Sequence, residues 1–161
     1  MLQTVALKNI RQRFVARGLS QKEAIEYEES FAPVARYTSI RSVLALITVI
    51  KWKIHQINVK TAFLNGVVEE EEYVEQPLGF ETHDRESHVC RLKKSLYGLK
   101  QEPRTWYGRI DSILSSLGFT KSKEDSNLYY KVEDGNPVML LLYVDDLFVT
   151  GTDGLMSHPR F

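Results

Sequence analysis

The chain has 161 residues, 43% of them hydrophobic and 26% charged, with 21 Lys and Arg balanced by 21 Asp and Glu. One domain of ordinary size fits that length, and the composition supports a buried core, which excludes an intrinsically disordered chain and a globally basic nucleic-acid binder. The single cysteine, Cys90, leaves no intramolecular disulfide, and neither the N-terminus nor the apolar run 42–50 is long enough for a signal peptide or a membrane span. A soluble cytoplasmic protein without a membrane partner is therefore expected.

In chain order, a basic stretch carrying Arg11, Arg13 and Arg17 comes first. Thr38 or Ser39 then caps a predicted helix in which Ile40, Val43, Leu44, Ile47 and Ile50 recur on one face. KWKIHQINVKTAF reads as a strand: Ile57 and Val59 share one face, while Ile54, Gln56 and Asn58 alternate onto the other. Asn65 and Gly66 mark a turn, and residues 73–88 read as surface loop. Pro103 suits the first turn of a second helix with Trp106, Ile110, Ile113, Leu114 and Leu117 as its apolar stripe and Gly118 as its stop. NLYYKV, the turn EDGN and PVMLLLYV predict a hairpin, and VDD followed by LFVTG predicts a tighter one with both aspartates at its bend. Strands and helices mix without a regular βαβ repeat, so the expected class is α+β in one domain over residues 1–161.

Charge is uneven along this plan. Residues 89–121 hold Arg91, Lys93, Lys94, Lys100, Arg104, Arg109 and Lys121 against Glu102 and Asp111, whereas residues 67–87 carry eight acidic side chains against Arg85. That distribution suits a basic groove for a phosphate backbone beside an acidic, solvated edge, or simply two surface faces. The four histidines, His55, His83, His88 and His158, show no spacing that suggests zinc.

The sharpest feature is LLLYVDDLFVTG at 140–151, which sets Asp145 and Asp146 in an otherwise apolar, strand-like run. A desolvated carboxylate must neutralise or find a cation. Two carboxylates at a bend can collect Mg²⁺, and two such ions about 3.5–4 Å apart can activate a 3′ hydroxyl and stabilise a departing pyrophosphate. Taken alone, an Asp pair is weak evidence, because turns are rich in aspartate.

RFVARGLSQ (13–21), YEESFAPVARYTSIR (27–41), WKIHQINVKTAFLNG (52–66), VEQPLGF (74–80), CRLKKSLYGLKQEPRTWY (90–107) and LYVDDLFVTG (142–151) strengthen it. Together and in this order they resemble the reverse transcriptase of copia-type LTR retrotransposon Pol polyproteins, over residues 11–151, with 152–161 a divergent tail. The resemblance implies the fingers and palm of a right-hand polymerase: an antiparallel palm sheet backed by helices, truncated before the thumb, with the remaining Pol domains outside this chain. It implies two Mg²⁺ ions, an RNA or DNA template-primer and deoxynucleoside triphosphates as partners. Asp145 and Asp146 then match the metal-binding carboxylates of the YxDD motif, and Val59 matches a further ligand through its main-chain carbonyl. The third carboxylate belongs where the family pattern reads DVKTAF, and this chain has Asn58 there.

By the same resemblance, Phe63 holds its ring against the sugar and excludes a 2′ hydroxyl. Gln101 lies against the incoming nucleotide, and Arg11 and Arg13 hold the triphosphate. Lys93, Lys94, Lys100 and Arg104 suit template or primer phosphates. Glu102 stands where the family usually has Ala, and its repulsion of a triphosphate grows if it is enclosed. Asn58, Glu102 and the C-terminal end together lead to the expectation of a decayed copy with impaired or absent activity, its catalytic hairpin at the edge of a truncated sheet. The alternative is a non-enzymatic remnant that binds nucleic acid through its basic segment.

Overall fold

The computed structural model describes residues 13–22, 27, 29–68, 71–82 and 87–152. The first helix, α1 (Tyr37–Ile50), begins before the predicted caps, with Arg36 as its extended N-cap residue. Its N-terminus is capped from a distance: Asp125 Oδ2 accepts the Arg36 backbone N–H at 2.9 Å. Burial pushes the Asp125 carboxyl up, but hydrogen bonds from Ser39 and from the backbone N–H groups of Arg36 and Asn127 outweigh it and hold it below its usual range. Of the predicted stripe, Val43 and Ile47 are buried, whereas Leu44 and Ile50 are exposed. Lys51, at φ 57°, ends the helix and turns the chain into β1 (Lys53–Asn58).

The stretch expected to be all loop contains strand. Tyr73–Val74 (β2) pairs antiparallel with Cys90–Arg91 (β3). Glu72, assigned by its charge run to a solvated edge, is only 5% exposed.

Helix α2 (Glu102–Ser116) buries Trp106, Ile110 and Leu114, while Ile113 and the C-cap residue Leu117 stay more than a third exposed. Gly118, at φ 84°, closes it as expected. Its N–H donates to the Ser115 carbonyl while the Phe119 N–H donates to that of Leu114, the two bonds of a Schellman stop. The strands β4 (Thr120–Lys121), β5 (Leu128–Glu133), β6 (Asn136–Tyr143) and β7 (Asp146–Gly151) follow. Asp134 and Gly135, both at positive φ, form the two-residue turn between β5 and β6 that the Asp-Gly pair predicts.

Among the described residues the main sheet has the order β1-β7-β6-β5-β4 and its strands pair antiparallel throughout, so the α+β class holds. The β6–β7 hairpin is not at a sheet edge, contrary to expectation. β1, distant in sequence, pairs along the whole of β7 from Lys53 opposite Gly151 to Asn58 opposite Asp146, and so satisfies that edge. The registers sort the side chains between the two faces of the sheet. Leu140 and Leu142 of β6, Leu147 and Val149 of β7 and Tyr129 of β5 form the core with Trp106, Ile110 and Leu114 of α2, and Ile57 and Val59 pack against it. Asn58, Asp146 and Tyr143 share a rung on the opposite face.

Candidate active site

The polar end of the sheet is built by that rung. Tyr143 and Asp146 face each other across a two-residue bend, Val144 and Asp145, so one aspartate lies in the bend and the other opens β7. β1 arrives alongside, and the Val59 N–H donates to the Asp145 carbonyl at 2.8 Å. This brings Asn58 to both carboxylates: its Nδ2 donates to Asp145 Oδ2 at 3.1 Å and to Asp146 Oδ1 at 3.1 Å. The strand residue and the bend pair, 87 and 88 residues apart, therefore converge on one point.

Val144 has φ 58°, a left-handed conformation that a β-branched residue rarely adopts, at a cost of about 1–3 kcal/mol. The indole N–H of Trp106 donates to its carbonyl at 2.7 Å. Thr61, also β-branched and at φ 55°, opens the short 3₁₀ turn Ala62–Asn65 that carries Phe63.

The donor set does not fit a pair of divalent ions as it stands. Mg²⁺ takes oxygen ligands, yet the atom between the two carboxylates is an amide nitrogen carrying hydrogens. The Asn58 side chain satisfies both aspartates where a third carboxylate would repel them. Among the described residues, no group of three or more His, Cys, Asp or Glu side chains could hold a metal ion.

The residues expected to meet a nucleotide or template make contacts of their own. Phe63 packs edge-on against Tyr97, with ring centroids 5.9 Å apart, and the Arg13 guanidinium lies 5.9 Å from the same Tyr97 ring. Arg11 lies outside the described residues. Gln101 is 1% exposed, its Nε2 donating to Glu72 Oε1 at 2.6 Å and its Oε1 accepting from Gln21 Nε2 at 3.2 Å. Lys93 and Lys94 are exposed and Lys100 is half-buried. Arg104 lies 3.7 Å from Glu29 across an exposed pair, which contributes little. Motif reading missed Tyr97, Gln21 and Glu72. All three lie within or beside the recognised blocks, but a single sequence does not reveal which of their partners sit far away in the chain.

Glu102 is enclosed, and its Oε2 accepts the Gly98 N–H at 2.7 Å. Burial pushes its carboxyl above the ordinary 4.5, and the Gly98 bond only partly offsets that. A raised carboxyl makes its full contribution to stability below about pH 4.5 and loses it as pH rises through the folded value. Glu102→Gln should therefore melt roughly a few degrees above the unmodified chain at neutral pH, and the two should converge near pH 4. Melting curves across pH 4–8 check this, and a pH-independent difference would contradict it.

With the geometry in place, comparison identifies the class. The family described as "Reverse transcriptase (RNA-dependent DNA polymerase)" matches residues 3–158, a span wider than the quoted blocks, and the chain belongs to it. Its relatives are transposon polyproteins, as the copia-type blocks imply. The chain is 45% identical over 156 residues to the Retrovirus-related Pol polyprotein from transposon TNT 1-94 of Nicotiana tabacum, covering 96% of this chain and 12% of that protein. It is 40% identical over 153 residues to that from transposon RE1 of Arabidopsis thaliana, covering 95% and 10%. It is 30% identical over 148 residues to the Transposon Ty1-GR3 Gag-Pol polyprotein of Saccharomyces cerevisiae, covering 92% and 8%. The chain thus spans about a tenth of the length of these relatives. No solved structure matches it significantly. Among the described residues no helix is long and apolar enough to cross a membrane.

Proposed function

We propose that this chain is the fingers and palm portion of an RNA-directed DNA polymerase that adds deoxynucleotides to a primer 3′ hydroxyl on an RNA or DNA template, and that its catalytic centre is impaired. The observation that carries the reading is the convergence of position 58 with Asp145 and Asp146, three residues from two distant segments meeting at one point. That arrangement suits phosphoryl transfer by positioning and charge neutralisation.

Impairment follows from the identity of the strand residue. Asn58 withholds one negative charge and turns a donor toward the aspartates, which weakens Mg²⁺ binding there. Loss of an outer-shell partner alone typically costs about 10–100-fold in affinity or activity, and a bridging ligand should cost more. Phe63 as the sugar-facing ring and Arg13 as a triphosphate contact are supported by their shared neighbour Tyr97. For Gln101 to meet a nucleotide, its bond to Glu72 must open. Lys93 and Lys94 are free of the core to meet template or primer phosphates, with Lys100 and Arg104 nearby in the chain.

Primer extension on an RNA template with Mg²⁺ tests the reading. The unmodified domain, within a longer Pol chain, should give no product above background, and Asn58→Asp in the same chain should extend the primer. Extension by the unmodified chain would refute the impairment, and failure of the revertant would refute the polymerase reading. The second reading, a nucleic-acid-binding remnant, rests on the exposed lysines and predicts salt-sensitive, sequence-indifferent binding unaffected by Asn58→Asp.

A further inference from the structure

Trp106 does more than its place in the core requires. Its ring is 4% exposed and packs with Ile110 and Leu114 beneath the sheet, a role that any large apolar ring would fill. Its N–H nevertheless reaches out of that core to the Val144 carbonyl oxygen at 2.7 Å, 38 residues away in sequence. Val144 is the bend residue held at φ 58°, where glycine, asparagine or aspartate would be at ease and valine is not. The next carbonyl, that of Asp145, is taken by the Val59 N–H from the end of β1. Two successive carbonyls of the bend are thus each gripped by a donor from a different element, α2 on one side and β1 on the other.

We infer that Trp106 is a positioning residue for the aspartate bend: its indole N–H holds Val144 in the left-handed conformation that turns Asp145 and Asp146 toward position 58. The helix that carries this grip begins at Glu102, directly after Gln101. A buried indole donor without an acceptor would be penalised, so the bond resists opening in either direction. The inference deepens the proposed site but does not need polymerisation to be tested, so the two can fail separately.

Amide hydrogen exchange on the full chain provides the test. Trp106→Phe keeps a ring in the core and removes the donor. The Val59 N–H, which reports the bend through its bond to Asp145, should exchange about tenfold faster, while amides on the Tyr129–Leu140 rung between β5 and β6 stay within about twofold. Adding Val144→Gly removes the strain that the indole offsets, and should return Val59 protection to within about twofold of the unmodified chain. Equal acceleration across both regions, or no rescue by Val144→Gly, would make Trp106 a core filler and overturn the inference. Should Trp106→Phe fail to fold, Val144→Gly alone decides: it should slow Val59 exchange with Trp106 intact, and faster or unchanged exchange would overturn the inference.

Discussion

Asn58→Asp is expected to lower the melting temperature in chelator and to make that temperature rise with Mg²⁺, whereas the unmodified chain should melt at the same temperature with and without the ion. In the chain as it stands, one amide nitrogen donates to both bend carboxylates at 3.1 Å. The substitution removes both bonds and adds a third like charge at the same point. Because the site is exposed, water screens the repulsion, and a loss of about 1 kcal/mol is the reasonable scale, roughly 2–4 °C for a domain of this size. An ion bound only by the folded state restores RT ln(1 + [L]/Kd), about 1.4 kcal/mol at ten times Kd, so Mg²⁺ raised to about that multiple of its Kd should recover the loss. Asn58→Ala provides the control: it also gives up the amide bonds but adds no charge, and should melt lower without becoming responsive to Mg²⁺. Equal stabilisation of the unmodified chain and of the aspartate variant by Mg²⁺ would show that Asn58 does not displace a cation.

What the sequence disclosed and what it hid follow from the range of the interactions involved. The Asp134-Gly135 turn and the Gly118 stop were legible because each depends on neighbours within a few residues, whereas the strand expected through Phe63 ends at Asn58 and Ala62–Asn65 turns as a 3₁₀ helix instead. The β6–β7 hairpin was legible too, since two charges interrupt an apolar run, but the division of the aspartates was not. A rule that reserves positive φ for Gly, Asn and Asp does not select Val144, and the bond that settles the matter comes from Trp106 on another element. The cap of α1 was misplaced for a related reason. A local reading looks for a Ser or Thr at the helix start, whereas Asp125 supplies the acceptor from far along the chain. Glu72 was hidden by its company: a run of acids reads as solvated, but the carboxylate meets the Gln101 amide at 2.6 Å and leaves the surface. Motif order revealed that 58, 145 and 146 belong together, and only the antiparallel pairing of β1 with β7 supplied the contact.

Gly98→Ala is expected to cause a large loss of stability, and to cause it locally. Gly98 sits at φ 97°, and a Cβ there would collide with the backbone carbonyl oxygen of Ala16, while a Cβ on Gly18 would collide with the Gly98 carbonyl. These two glycines let two stretches of backbone touch, and the seam is held by the Ala16 N–H on the Tyr97 carbonyl at 2.6 Å and the Lys100 N–H on Gln21 Oε1 at 2.8 Å. Alanine at 98 meets an unfavourable φ, about 1 kcal/mol, and a backbone collision that no side-chain rotation relieves, so a total above roughly 2 kcal/mol is expected. Gly79→Ala separates the two contributions, because Gly79 shares a positive φ of 86° but a Cβ there meets nothing within 4 Å. Since the core lies in the sheet and α2, the collision should free residues 13–22 first. Trypsin should cut at Arg13 and Arg17 much faster, while the Leu140–Val149 rung keeps its exchange protection. Arg13 would then leave the Tyr97 ring that also packs on Phe63, so a variant with an unchanged carboxylate bend should lose affinity for a nucleoside triphosphate if Arg13 is a triphosphate contact. Global unfolding at the same rate as tryptic cleavage would instead show that this seam belongs to the main cooperative unit.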